Sequence, residues 1–384
     1  MSVFLTNNLF WLELICFILK YLKMTNILSS MDIDNIMGLI EKNSNISDLH
    51  LSWDESIAYR LNWEIIRQEQ AGKLTNENIE IILRQLFQWN PQRFDKFLAD
   101  KEADFAYLSK DWTSYRVNTY LKTGRIWIVM RKINNKAKPL EELMFSNIAD
   151  NIKKQILTAK NGLYLITGPT WAGKSTTMVA MLEYLNQMRN ENIVTIEDPI
   201  EFIFQPKKCL ISQREIGHDT WSFKNALRWS MRQDPDIIFV WEIRDTETAE
   251  SVLSLAETGH LVFSTLHTSS SSHTINRFIS FFDPSIQQSI RERFADALLW
   301  IQSQVLVKTK DWNNRVALFE VMLNNTAIKN NLKKRDTDQL DNIIESWYTQ
   351  WMIKLKQYAE RLIDKNIIDR TEVDRLLNKI INKI

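Results

Sequence analysis

The stretch LYLITGPTWAGKSTT, residues 163–177, decides the fold. Four apolar residues, Leu163, Tyr164, Leu165 and Ile166, lead into a turn holding Gly168, Pro169, Thr170, Trp171, Ala172 and Gly173. Lys174, Ser175 and Thr176 follow and open a helix-forming run. This is G-x-x-x-x-G-K-[ST] in the context it requires, after a strand and before a helix. Backbone N–H groups of such a loop and the helix N-terminus surround phosphate oxygens. Lys174 is placed to reach β- and γ-phosphates as a point charge. The Ser175 hydroxyl takes a place on Mg²⁺.

The rest of the composition is compatible with two domains. A chain of 384 residues can bury more than one core. Lys and Arg number 48 against 47 Asp and Glu, a net charge of +1 that gives no reason to expect nucleic acid as a direct partner. Two cysteines, Cys16 and Cys209, cannot build a disulfide framework or a four-thiolate zinc site, which suits a reducing, cytoplasmic compartment. Residues 4–22 are apolar but interrupted by Asn7, Asn8, Glu13 and Lys20, poor for a spanning helix and without a basic leader. The expectation is a peripheral helix, or a start codon placed too early with Met24 or Met31 as the true beginning.

Glycine and tryptophan are out of balance. The chain has 8 Gly and 14 Trp, where average usage of about 7% predicts about 27 glycines. The positions sharpen the point. Asn62-Trp63 stands between YRL and EII, where a two-residue hairpin turn wants Asn-Gly. Asp311-Trp312 stands where Asp-Gly would turn the chain before RVALFEV. Trp171 stands inside the phosphate loop, where tryptophan resists positive φ and its ring is expected to crowd the loop. Two readings are open. Several of these tryptophans are glycines in the cell, through a codon such as UGA decoded there as glycine; or the protein is truly tryptophan-rich with a degenerate site.

Residues 1–30 are set aside as a leader, and residues 31–133 read as a mixed α/β domain. Helices are expected over 31–42 and 76–89, the latter with Ile79, Ile82, Leu83 and Leu86 on one face. Strands are expected over 104–108, 114–121 and 125–133. INNKAKPL, 133–140, reads as a linker over 134–140. Beyond it, over 141–384, helix and strand alternate: helices at 178–189, 223–231 and 246–257; strands at 163–166, 192–196, 236–240 and 260–265. That alternation predicts a parallel sheet with helices on its faces. Residues 336–384 read as helical and charged.

Three further segments carry chemistry. IVTIEDPIEF, 193–202, is a strand running into Glu197, Asp198 and Glu201. Acids at the C-terminal end of a parallel strand face the ligand crevice, and one can activate a water. RQDPDIIFVWEIRD, 232–245, is an apolar strand ending in Glu242, suited to hold Mg²⁺ or polarise the nucleophile. ETGHLVFSTLHT, 257–268, places His260 and His267 around a short strand. No third ligand lies nearby, so a γ-phosphate sensor or interface role is favoured over metal, with an ordinary structural histidine as the alternative. Arg116 and Arg131, on neighbouring strands of the first domain, are candidate arginine fingers for an adjoining subunit; taken alone, each suits a surface ion pair.

With these segments together the chain resembles the secretion ATPases of the type II/type IV pilus superfamily, and within them the twitching-motility retraction ATPase (PilT) family. The resemblance covers residues 46–352. SDLHLS (47–52), EADFAY (102–107) and YRVNTY (115–120) match that family's PAS-like N-terminal domain. GPTWAGKSTT matches its Walker A, TIEDPIEF its Asp box, QDPDIIFVWEIRD its Walker B and AETGHLVFSTLHT its His box. The resemblance implies a RecA-like P-loop NTPase domain behind a smaller PAS-like α/β domain, and a homohexamer that hydrolyses ATP with Mg²⁺. Residues 168–176 and His260 would bind nucleotide. Ser175 and Glu242 would hold the metal. Glu201, Glu242, His267, Arg116 and Arg131 would serve catalysis. It further implies a motor at the inner face of the cytoplasmic membrane, working on an inner-membrane pilus platform protein, with peripheral membrane association. A catalytically weak accessory subunit and a type II secretion or DNA-uptake ATPase are the alternatives.

The departures are informative. At Trp63, Trp171, Trp241, Trp312, Trp347 and Trp351 the family has, or commonly has, glycine. AIKNNL, 327–332, stands for the retraction-associated AIRNLI, with Lys329 lacking arginine's planar fork. The four-cysteine module of the assembly-type relatives has no counterpart, which favours retraction.

Overall fold

The computed structural model describes residues 33–41, 46–61, 64–69, 72–110, 113–133, 136–311, 314–335, 339–347 and 352–381. The expectations for residues 4–22, and those for Trp63, Trp312 and Trp351, lie outside them. The chain divides into two compact units, residues 1–135 and 136–384.

In the first unit, helix α1 (Ile33–Glu41) precedes strands β1 (Ile46–Ser52), β2 (Ala58–Leu61) and β3 (Glu64–Arg67). Helices α2 (Asn76–Leu86) and α3 (Pro91–Asp100) follow, then β4 (Glu102–Leu108), β5 (Ser114–Lys122) and β6 (Arg125–Lys132). The strands form one antiparallel sheet in the order β3-β2-β1-β6-β5-β4. Leu61 pairs with Glu64, so β2 and β3 are joined by two residues. Helix α2 starts on a reciprocal cap, Thr75 with Asn78, and buries the expected stripe Ile79, Ile82, Leu83 and Leu86. At its far end Gln88 and Trp89 both take positive φ, 54° and 59°. The Trp89 N–H bonds to the Arg84 carbonyl, and the Gln88 N–H to Gln85. This double closure of a helix end is usually made by glycine.

The second unit opens with α4 (Leu140–Leu143) and α5 (Ser146–Thr158), then β7 (Gly162–Thr167), α6 (Lys174–Met188), β8 (Asn192–Glu197) and β9 (Leu210–Glu215). Next come α7 (Phe223–Ser230), β10 (Ile237–Val240), α8 (Thr246–Glu257), β11 (Leu261–Leu266), α9 (Ser271–Ser280) and α10 (Gln287–Ala297). The chain ends with β12 (Leu298–Lys308), β13 (Arg315–Leu323), α11 (Thr326–Lys333), α12 (Leu340–Ser346), α13 (Leu355–Asp364) and α14 (Arg370–Ile381). The sheet order is β13-β12-β7-β11-β10-β8-β9, parallel except for the β12–β13 hairpin.

The apolar run read at 163–166 is a central strand covered on both sides. Tyr164 and Ile166 face one core, with Phe239, Phe263 and Met181. Leu163 and Leu165 face the other, with Ile238, Val240 and Val262. A parallel strand buried on both faces has to be apolar throughout. This packing fixes where β7 ends, and so where the loop after it begins.

Candidate functional site

Gly168 follows β7 with φ +152°, and a Cβ there would lie 2.2 Å from the Gln304 carbonyl oxygen. Only glycine fits so close an approach of loop to strand β12. Gly173, φ +85°, forms the N-cap of α6. Between them the Gln304 amide donates to the Ala172 carbonyl, 2.8 Å away and buried. The loop is therefore held from beneath by β12. Trp171 adopts φ +68° and is 78% exposed. The positive φ expected to be awkward for tryptophan is what the loop imposes. The expected crowding is not found, because the ring projects outward. It lines a cavity of about 350 Å³ with Pro169, Leu306, Lys308, Arg315 and Arg375. Trp241 lies outside the left-handed region, its ring edge-on to Phe239 at 6.0 Å. Trp347 has φ −96°.

Lys174, at the first turn of α6, donates to the Gly168 carbonyl at 2.8 Å and lies 3.3 Å from Nδ1 of His267. Nε2 of His267 is 3.2 Å from Glu242. The ammonium can only donate, so Nδ1 is placed to accept from it and Nε2 to donate to Glu242. The other Glu242 oxygen takes Arg244 at 3.0 Å, and Arg244 reaches Asp198 at 4.0 Å. One connected chain thus joins the phosphate loop, the His-box strand, the Walker B strand and the Asp box. Burial pulls the Lys174 ammonium down, while the charges of Glu242 and Glu201 oppose it; the net direction is downward. Ser175 and Thr176 sit at the same helix start, half-buried and exposed. Among the described residues no group of three or more His, Cys, Asp and Glu could hold a metal by itself. A metal here would share its coordination between Ser175, Glu242 and phosphate, as Mg²⁺ commonly does.

Glu201 lies on the irregular segment after β8, close enough for its charge to act on Lys174. Beneath it, Glu197 is 3% exposed and accepts from the Thr195 hydroxyl at 2.7 Å and the Gln213 amide at 3.1 Å. Burial pushes the Glu197 carboxyl up to about 7, against those hydrogen bonds. The folded state therefore favours the protonated acid. Its stability is full below the unfolded pKa of 4.5 and is lost as pH rises through about 7. Above pH 7 the loss is on the order of 3 kcal/mol. Glu197→Gln is expected to raise the thermal midpoint at pH 8 and leave it unchanged at pH 5, as scanning calorimetry at both values will read.

His260 lies apart from the phosphate loop. It stands at the N-terminal end of β11, with Nδ1 3.1 Å from the Leu255 carbonyl, while His267 follows the C-terminal end. Six strand residues separate them by about 20 Å. Within this unit His260 is not brought to the phosphate loop, so the expected nucleotide-binding role has no support from its position. Arg116 and Arg131 are direct partners across β5 and β6. Arg116 is forked onto Asp104 at 2.5 Å, and Arg131 holds Asp48 at 2.7 Å. Each has the ion pair that lone arginines suggested. Sequence reasoning passed over Arg244 and Gln304. The first was visible as the arginine after the Walker B acid. It also missed a buried hydroxyl chain. Thr274 bridges Thr268 (2.7 Å) and Thr167 (3.3 Å), and Thr167 meets Ser303 at 2.7 Å.

Residues 96–349 match the family model described as Type II/IV secretion system protein. The chain is 36% identical to the type IV pilus retractation ATPase PilT of Pseudomonas aeruginosa over 341 residues, 88% of this chain and 96% of the relative. It is 36% identical to a twitching motility protein of Neisseria gonorrhoeae, covering 80% and 79%. The crystal structure of the pilus retraction motor PilT with bound ADP superposes with a TM-score of 0.73 at 32% identity, covering 90% of this chain and 99% of that one. The Legionella pneumophila ATPase DotB gives 0.79 at 26%, covering 91% and 95%.

Proposed function

The chain belongs to the type II/IV secretion system ATPase family, and we propose that within it the chain is the motor that powers type IV pilus retraction and twitching motility. The observation that carries the reading is the contact series Lys174–His267–Glu242, which ties the phosphate loop to the acid of the Walker B strand. The sequence motifs meet there in space.

In this reading the loop amides of residues 168–176 and the N-terminus of α6 hold the triphosphate. The fit rests on Gly168, whose surroundings leave no room for a side chain, and on donors that suit phosphate and a hard cation. When bound, Mg²⁺ would supply positive charge against the charge that builds on the phosphate oxygens. Ser175 and Glu242 would hold it. Lys174 leaves the loop carbonyls for the phosphates. Glu201 orients and deprotonates the attacking water. His267, already on Glu242, reports the state of the γ-phosphate to β11. Arg116 and Arg131 would exchange their aspartates for the triphosphate of a neighbouring copy in a hexamer. The partner would be the pilus platform protein of the inner membrane, met at its cytoplasmic face. No helix among the described residues is long and apolar enough to cross a membrane. AIKNNL lies on α11, with Ile328 and Leu332 buried and Lys329 paired to Asp296.

A second reading, an accessory subunit that binds nucleotide weakly, is favoured by one observation, tryptophan at a left-handed position of the phosphate loop. Two measurements decide between them: Mg²⁺-dependent ATP hydrolysis by the purified ring, and pilus length in cells carrying the parent chain or Lys174→Ala. The motor reading expects hydrolysis, and pili that extend but do not shorten in the variant. Hydrolysis no faster than that of Lys174→Ala would leave only the accessory reading.

A further inference from the structure

The segment 198–204, which carries Glu201, has no regular secondary structure. A catalytic acid on an unsupported loop would lose much of its effect, since a misplacement of about 1 Å can cost about 100-fold in rate. The backbone around Glu201 is nonetheless tied at four places. The Ile200 N–H donates to the Glu215 carboxylate at 3.1 Å. The Glu201 N–H donates to the Glu197 carboxylate. The Phe202 carbonyl accepts from the Gln213 amide at 2.7 Å. The Phe204 N–H donates to the Gln213 carbonyl oxygen at 2.8 Å. Gln213 also donates to Glu197 at 3.1 Å.

Gln213 is therefore central to the arrangement. Its side chain, reaching from edge strand β9, offers one acceptor and one donor to residues two apart, as a neighbouring strand would. It bonds as well to the buried acid that receives the Glu201 N–H. Phe202 and Phe204 are buried, ring centroids 4.8 Å apart, and anchor the same segment from the apolar side. A surface loop held only for stability would not need three bonds from one half-buried amide, with a second side chain of the same strand, Glu215, holding the residue before the acid. We propose that Gln213 is a positioning residue for ATP hydrolysis: it fixes the backbone that aims Glu201 at the attacking water. This rests on the reading of Glu201 as the water-activating acid.

The test is a double-mutant cycle on the full-length chain, run in the Trp171 or Trp171→Gly form, whichever turns over faster. Gln213→Leu, Glu201→Gln and the pair are compared for kcat, KM and fluorescent Mg²⁺·ADP affinity. Gln213→Glu keeps the acceptor for Phe204 and serves should the leucine variant not fold. The expected result is a fall in kcat of about 10- to 100-fold, with KM and ADP affinity unchanged. In the Glu201→Gln background the same change should cost nothing further. A fall in affinity instead, an unchanged kcat, or the same fall without Glu201 overturns the role of Gln213. A Glu201→Gln chain that hydrolyses at the parent rate overturns the reading of Glu201 itself, and the positioning role falls with it.

Discussion

Trp171→Gly is expected to tighten Mg²⁺·ADP binding by about 5- to 30-fold and to raise ATP turnover with it. The residue sits at φ +68° in the phosphate loop. A bulky L-residue there carries a conformational cost of about 1–2 kcal/mol, and 1.4 kcal/mol corresponds to a factor of ten in affinity. The cost matters because the loop has to present its amides to phosphate in one conformation. Titration calorimetry on the two chains measures the difference directly; equal affinities would mean that the loop tolerates tryptophan. The same substitution bears on the identity of the residue in the cell. Two other tryptophans sit uneasily in the fold. Trp89 takes φ +59° where α2 is closed off. Trp300 is buried in β12, its indole N–H without a hydrogen-bond partner among the described residues, and the pairing of β12 with β7 is irregular beside it. A buried indole usually finds an acceptor. We propose that these positions are glycine in the native protein, with UGA decoded as glycine. The coding DNA and the mass of the phosphate-loop peptide from source cells check this. UGG codons at residues 63 and 171 would end it.

What was legible in the sequence follows the strength of the local physics. The strand, loop and helix at 162–188 could be read because three separate demands coincide there: a doubly buried strand, glycines at positions closed to a Cβ, and a helix start that needs a cation and a hydroxyl. The alternation around it gave the parallel order. Strand β9 was not legible. LISQRE is polar because it is the sheet's edge strand, exposed at Leu210 and Ser212, and a polar hexapeptide reads as loop. Yet Gln213 and Glu215 lie on it, so the support of Glu201 was invisible too. The two histidines show a different limit. The resemblance gave both a place at the site, but β11 carries them to opposite ends of the sheet, and only His267 reaches the phosphate loop. Arg244 was hidden by its ordinary appearance; its value comes from reaching both Glu242 and Asp198, which only the fold reveals.

Lys174→Ala and Glu242→Gln are expected to fail in different ways, and the difference tests the site as a whole. Lys174 is the cation of the phosphate loop, so its removal should abolish retention of Mg²⁺·ADP as well as turnover. Glu242 is buried to 11% side-chain exposure and receives both His267 and Arg244. Glutamine removes the charge and keeps one acceptor oxygen, for His267 or for Arg244, while its NH2 group faces the other donor. Nucleotide binding should then persist within a few-fold while kcat falls by about 100- to 1,000-fold, the range seen when a single electrostatic group is lost from a transition state. Equilibrium binding of a fluorescent ADP and steady-state phosphate release separate the two losses. If Glu242→Gln hydrolysed ATP at the parent rate, the carboxylate would be a structural partner of His267 and Arg244, and the charge acting on the reaction would have to come from Glu201 or Asp198. If it lost nucleotide as completely as Lys174→Ala, Glu242 would be holding the metal in the ground state as tightly as in the transition state. Its contribution would then be to binding, without selective lowering of the barrier.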